Sequence, residues 1–342
     1  MGFKRFDPED FVVSSDTVTS TVWSNNAVEL NSYFTSSTQT QGSSGEYYIN
    51  VYQTASDDAS AAVQFAIAYA DSEGSGSLLF DANVEGKSPS RSIYGQYRTL
   101  LLEDENAQFV FGDSYSGSYF YIISPDRARY KEKLLPGSFN LSLTGSRGGA
   151  GVKLKLTDNS KDVTLPTFYG TQRAYQIVSG SDGAAYTGTG YTTNSGSYGL
   201  FFPDTSTIIL NGAALDDNNT EGINLNTGRD SNTNNNNPEK LYNNISGSLS
   251  TVFKLNSQET ITSDYVFVRA RNSEFNYTEN PSFISGSTGE VVYNYFIDNP
   301  QTYATTVGMY NDSNELLAVA KLSKPLVKDF TKESLVRVKL DF

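Results

Sequence analysis

A chain of 342 residues carries 23 tyrosines and 20 phenylalanines but no histidine, no cysteine and only two methionines. That absence excludes histidine-based triads and the imidazole or thiolate metal centres on which many hydrolases and redox proteins rest. With 25 lysines and arginines against 38 aspartates and glutamates the net charge is −13, which argues against nucleic acid and anionic membranes as partners, because binding either begins with clustered cations.

A chain of this length buries roughly 75% of the surface its unfolded form exposes, so it needs no disulfide or metal to hold a core. Two or three domains are expected. Aromatic side chains supply contact area at low rotamer-entropy cost and are enriched where proteins meet. Assembly is therefore a better expectation than catalysis, with no cofactor and no metal.

The opening MGFKRFDPEDF has no apolar segment of signal-peptide length, and no later stretch reaches the ~18–20 apolar residues of a membrane span. First folding in a cytosol is expected. Phe6 stands where a myristoylation signal requires serine or threonine. Phe3, Phe6 and Phe11 punctuate a polar stretch that also holds Lys4 and Arg5. An acidic protein with such an arm, residues 1–35, can lay it into a neighbour's groove or pack it on its own domain; Phe3, Arg5, Phe6 and Phe11 are the candidate interface residues.

Short alternating segments bounded by Gly, Asn, Ser and Asp then predict a mostly β protein of antiparallel, sandwich-like sheets with long loops and one or few short helices. Residues 36–164 are read as the first β domain. In it Val63, Phe65, Ile67 and Tyr69 form a core face, while Gln64, Ala66 and Ala68 form a small face able to admit another layer. Phe139, Leu141 and Leu143, a turn over Gly145–Gly151, and Val152, Leu154 and Leu156 predict a hairpin. Ser124, Pro125 and Asp126 resemble a helix start and Pro136-Gly137 a helix stop, predicting a short helix near 125–135.

No lysine occurs between Asp162 and Glu239, where Gly, Ser, Thr and Asn crowd; residues 165–260 are read as a loop-rich β region. From 261 to 342 a C-terminal β domain is expected. There Val291–Ile297 reads as a buried strand, Asn311–Asn314 as a connection between two strands, and Val336, Val338, Leu340 and Phe342 as one phase of a final strand with a docked end.

Without histidine, a catalytic serine would need lysine or carboxylate as its base, and Ser323-Lys324 lies in a strand reading where neighbours point apart. The acidic clusters Asp57-Asp58, Glu103-Asp104-Glu105 and Asp216-Asp217 are the places where a glycosidase pair could stand, but adjacent acids on turns are expected to be solvated. Asp216 to Gly222 approaches a calcium loop with its glycine one position late and Thr227 at the twelfth position, so a plain Asx-rich loop is expected. Gly145–Gly151 and Gly188–Gly190 read as turns, since neither follows a strand and opens a helix.

The stretch Phe275–Phe283 (FNYTENPSF), the run Thr306–Pro325 (TVGMYNDSNELLAVAKLSKP) and the ending Phe330–Phe342 (FTKESLVRVKLDF) resemble virion structural proteins of large contractile-tailed phages, those of marine cyanobacteria in particular. The opening MGFKRFDPEDFVVSSD, Tyr94–Tyr97 and Arg127–Lys133 share the likeness. The resemblance implies a tail or baseplate component assembled in host cytoplasm and carried in the virion, present in several copies, with other tail or baseplate proteins as partners and no catalytic motif to transfer. Phe342 joins the candidate interface residues. A fibre-attachment protein whose loops at 180–240 bind a host glycan, and a tail-borne polysaccharide hydrolase, are the competing expectations.

Overall fold

The computed structural model describes residues 5, 7–37, 47–84, 88–186, 193–232, 236–246, 252–278 and 280–341. In chain order the strands are β1 (Phe11–Thr21), β2 (Glu29–Leu30), β3 (Tyr48–Tyr52), β4 (Val63–Asp71), β5 (Val110–Phe111), β6 (Tyr115–Ser116), β7 (Tyr119–Pro125), β8 (Lys133–Leu134), β9 (Asn140–Arg147) and β10 (Ala150–Asp158). They continue as β11 (Thr167–Tyr169), β12 (Gln172–Ser181), β13 (Ala184–Ala185), β14 (Gly199–Phe202), β15 (Thr207–Asn211), β16 (Phe253–Lys254), β17 (Asn256–Ala270), β18 (Thr302–Tyr310), β19 (Leu316–Lys328) and β20 (Ser334–Asp341). The helices are α1 (Pro89–Leu102), α2 (Gly212–Asp216), α3 (Asn236–Ser246) and α4 (Asn294–Asp298). The protein is thus mostly β, as its alternation predicts. Among the described residues no helix is long and apolar enough to cross a membrane.

Contacts divide the chain into two compact units, Val18–Glu259 and Met1–Thr17 with Thr260–Phe342, here the barrel unit and the terminal unit. In the barrel unit one sheet runs β2-β16-β9-β10-β12-β14-β15-β7-β4-β3, with β11 and β13 bonded to β12. Phe65 on β4 and Phe253 on β16 lie seven places apart in that order, which in a flat sheet would separate them by about 30 Å at the usual strand spacing. Their ring centroids are 5.2 Å apart. The sheet is therefore curled into a half-barrel whose margins meet through side chains.

Trp23 closes that seam, its ring 4.9 Å from Phe253 and 6.3 Å from Phe65, and Phe139 bridges Phe253 to Phe201. Helix α3 packs on β9, β4 and β3, so it spans from the β3 margin to the third strand from the other end, and its Leu241 and Ile245 complete the inner core. On the outer face α1 lies against β4. The small face of β4 is what admits it: Ala68 and Ala70 leave room for Tyr94, whose ring meets Phe109 edge to face and lies tilted against Phe120.

Strands β9 and β10 form the expected hairpin, with Leu143 opposite Leu154 and Leu141 opposite Leu156. Its strands run further than expected, through Arg147 and Ala150, and only Gly148 and Gly149 make the turn, both at positive φ. Such a two-residue turn matches the right-handed strand twist and requires glycine or asparagine.

Three expectations are corrected. Residues 125–135 do not form a helix. Ser124 and Pro125 end β7, Asp126 caps a single 3-10 turn at Arg127–Arg129, and the backbone then turns to the sheet, where Leu134 N–H donates to Pro203 and Leu135 N–H to Asn256. The run RARYKEK offers no apolar stripe that a helix could bury. Second, no unit boundary falls at 164/165: β12, β14 and β15 lie between β10 and β7 in the one sheet, and every residue of β14 and β15 is buried. Third, Val291–Ile297 is not a buried strand. It contains the start of α4 and exposes Val292, Tyr293, Tyr295 and Ile297, leaving Phe296 inside, because a short apolar run has no period that separates strand from helix.

Four tyrosines of the barrel unit belong to its core, Tyr69 and Tyr121 inside it and half-buried Tyr33 and Tyr119 packed against it. Burial pushes the phenols of Tyr33, Tyr69, Tyr119 and Tyr121 far above their ordinary value of 10.0, with Asp71 adding at Tyr69 and Asp216 at Tyr119 and Tyr121. Their contribution to stability is complete below pH 10 and is lost as pH rises beyond it, because the unfolded chain gives up these protons first. Alkaline titration should show them ionising together, in the same step that abolishes near-ultraviolet circular dichroism. Ionisation of every tyrosine with the dichroism intact would refute the burial.

Candidate assembly interface on the terminal unit

The terminal unit pairs β1, β17 and β20 in one sheet and β18 with β19 in a hairpin. Its strand phase is the expected one: Val336, Val338 and Leu340 face inward, with Val338 opposite Val266 and Val336 opposite Val268. Asn311–Asn314 joins β18 to β19, with Asn314 at φ 60 and the Asn311 side chain accepting from Ser313 and Glu315 N–H. The resulting core is sparse. Val266, Met309 and Val338 are buried, with Val307, Ala318, Ala320, Val336 and Leu340 half-buried around them. Burial of so few side chains is small beside the conformational entropy of ordering such a length of chain.

Large apolar and aromatic side chains of the same unit stand in solvent. On β1 these are Phe11, 47% exposed, Val12 and Val13; on the hairpin, Tyr303, Tyr310, Leu316, Leu317 at 68% and Val319. Gly308 gives Tyr310 its place, since a Cβ there would meet the tyrosine ring at 3.0 Å.

A third group lies in the excursion between β17 and β18. Phe296 is its buried centre, ringed by Phe283 at 5.8 Å and Tyr277 at 6.5 Å; Phe283 in turn contacts Tyr293, which contacts Tyr295. Tyr277, Tyr293 and Tyr295 are exposed, Tyr295 by 62%. Buried Lys328 anchors the excursion, its ammonium donating to Asn272 O, Asn276 Oδ1 and Asp329 O. The Thr302 hydroxyl donates to Phe275 O. A buried cation with three acceptors holds the loop at a defined place.

Of the sequence-predicted interface residues, Arg5 and Phe11 are exposed, and Phe3, Phe6 and Phe342 lie outside the described residues. Sequence reasoning missed the aromatic excursion. The signal was Tyr293-Asn-Tyr-Phe-Ile-Asp ahead of Asn299-Pro300, a dipeptide that ends regular structure.

The acidic clusters each hold a turn. Asp58 accepts from Ser60, which lowers its pKa, and Glu103 ends α1 at φ 55 while accepting from Thr171, which lowers its own. Asp217 takes the N–H groups of Glu221, Asn219, Thr220 and Gly222, and these donors hold it far below the usual carboxylate range. Asp216 accepts from Tyr119 at 2.9 Å and from Thr227. The loop once compared with a calcium site thus closes on its own amides. Gly188–Gly190 lies outside the described residues. No grouping of three or more metal-ligating side chains occurs among the described residues.

Between 180 and 240 the described residues include the wholly buried β14 and β15 together with exposed Asp182, Tyr186 and Asn218 to Thr220. The same region carries α2, and its Arg229 donates to Asp71 Oδ2 at 2.8 Å and lies 4.5 Å over the Tyr119 ring. On the outer face of the barrel unit a cleft of about 200 Å³ is lined by Lys153, Lys155 and Lys254 beside Glu29 and Asp182, with Lys254 paired to Asp182 at 3.1 Å.

Comparison with protein-family models, with curated proteins and with solved structures yields no match.

Proposed function

We propose that this chain is a structural subunit of a phage virion, placed in the tail or baseplate, that acts by binding copies of itself or neighbouring tail proteins. The observation that carries this reading is the terminal unit: a sparse core beside exposed Phe11, Tyr295 and Leu317, which is what a unit presents when it completes its apolar burial on a partner. The resemblance of Phe275–Phe283, Thr306–Pro325 and Phe330–Phe342 to virion proteins supports it, and all three stretches lie in that same unit.

Quantitative mass spectrometry of purified particles tests it. A fixed copy number in isolated tails is expected, and deletion of residues 2–11 should leave the protein folded while removing it from particles. Absence from purified tails would overturn the proposal. A truncated protein that melts well below the full chain would show that the arm belongs to its own core. Shortening of host polysaccharide by the purified protein would favour the hydrolase instead.

A further inference from the structure

The sheet β1-β17-β20 ends on β1 at one margin and on β20 at the other, and among the described residues no strand pairs with the outer side of either. Strand β1 reads FVVSSDTVTST. From Phe11 to Thr17 only Ser14 is half-buried and the rest are exposed. Natural sheets protect such margins with lysine, proline or a covering element, and β1 has neither residue. An open edge strand is a template for another strand.

Charge identifies which strand. Asp7, Glu9 and Asp10 precede β1 and Asp16 lies within it, whereas exposed Arg337 and Lys339 lie on β20. Arg337 sits 5.5 Å and Lys339 5.9 Å from the Tyr265 ring on the neighbouring β17, so both stand on the same sheet face as Tyr265. Lys339 is held above its ordinary pKa first by its bond to Asp341, and the charge of Asp16 also acts on it. Charges of opposite sign on one face become cross-strand neighbours when a sheet continues past its margin.

We infer that the protein self-associates head to tail, the β1 margin of one copy pairing with the β20 margin of the next so that the terminal-unit sheet runs continuously from copy to copy. This rests on the assembly role proposed above and names its partner as a second copy. A contact between two different surfaces of one chain closes into a ring or extends as a filament, while a contact of one surface with itself stops at a dimer.

The test uses the full chain and two blocked forms: Val13→Lys with Asp16→Lys on β1, and Arg337→Asp with Lys339→Asp on β20. These positions are exposed, and circular dichroism melts check that both forms fold; Ser15→Lys and Leu335→Lys serve as replacements should either fail. Sedimentation velocity should show oligomers for the native chain and a loss of self-association of more than about tenfold for each blocked form alone. Mixed, the two blocked forms should associate again, since the native β1 of one meets the native β20 of the other and the reversed charges of the two altered margins also complement each other. A monomeric native chain, dimerisation of the β20-blocked form alone, or a mixture that stays monomeric would each overturn the inference. A monomeric chain still present at fixed copy number in tails would leave the structural role standing, and self-association of a chain absent from tails would remove that role instead.

Discussion

Phe253→Ala is expected to destabilise the protein by about 3–5 kcal/mol, the usual range for emptying a buried phenylalanine site. Phe253 is the ring through which the half-barrel meets itself: Trp23, Phe65 and Phe139 all contact it, and these three are themselves packed in the core at 0–1% exposure. Its strand is two residues long and lies between β2 and β9, so backbone pairing supplies little to hold that margin once the ring is gone. Loss of the seam should therefore appear in urea unfolding as a lower midpoint and in hydrogen exchange as faster exchange at β16 and β3. Phe168→Ala, at a site 61% exposed, is the control and should stay within about 0.5 kcal/mol of the native chain. Equal effects of the two substitutions would mean that the sheet margins do not meet.

Asp71→Ala should also be severe, about 1–3 kcal/mol for the buried donors left without their acceptor, because the fully buried carboxylate is taken from them and from Arg229, whose own side chain is 29% exposed. Asp71 is fully buried and accepts from the Arg229 guanidinium, from Tyr69 OH at 3.1 Å, and from the N–H groups of Glu73 and Gly74. Four donors lose that carboxylate together, Gly74 N–H keeping the Asp71 backbone carbonyl and Arg229 keeping Glu73 at 3.8 Å. Asp71→Asn keeps one oxygen and should cost less. Pairing Asp71→Ala with Arg229→Met should recover part of the loss, since the stranded cation is then gone, and a double-mutant cycle measures that coupling. Strict additivity of the two substitutions would show that Arg229 is satisfied by water and that the pair contributes nothing.

The class of fold and several of its local pieces could be read directly from residue patterns. Alternation at 139–156 and 336–340 reports a half-buried strand, and at 63–69 a strand with one large and one small phase, because the side-chain period of two matches the pleat and each phase meets a different environment. The small phase of β4 even announced the layer that α1 provides. Where both faces are buried the alternation disappears, and Leu200-Phe-Phe202 and Ile208-Ile-Leu210, central in the sheet, stood unrecognised inside a segment crowded with Asn, Ser and Gly.

The helix expected at 125–135 failed for a related reason. A capping pattern at Ser124 describes only the first turn, whereas β7 is held between β15 and β4 by bonds to residues far along the chain. The aromatic excursion was misread because Val291–Ile297 is apolar without a period, and only packing decides which of its side chains enter the core. Phe296 did and Tyr295 did not.

Chemistry divides in the same way. That no imidazole or thiol can act here, that strands dominate, and that the chain is acidic and rich in aromatic side chains follow from the residues alone, since those are properties of side chains wherever they stand. Which acids are buried, that Asp71 faces Arg229 across 158 positions of sequence, that the margins of a ten-strand path close on Phe253, and that β1 and β20 become the two open margins of one sheet were decided by tertiary contacts between distant segments. No local pattern encodes them, because the free energy of each depends on a partner that only the folded chain brings within reach.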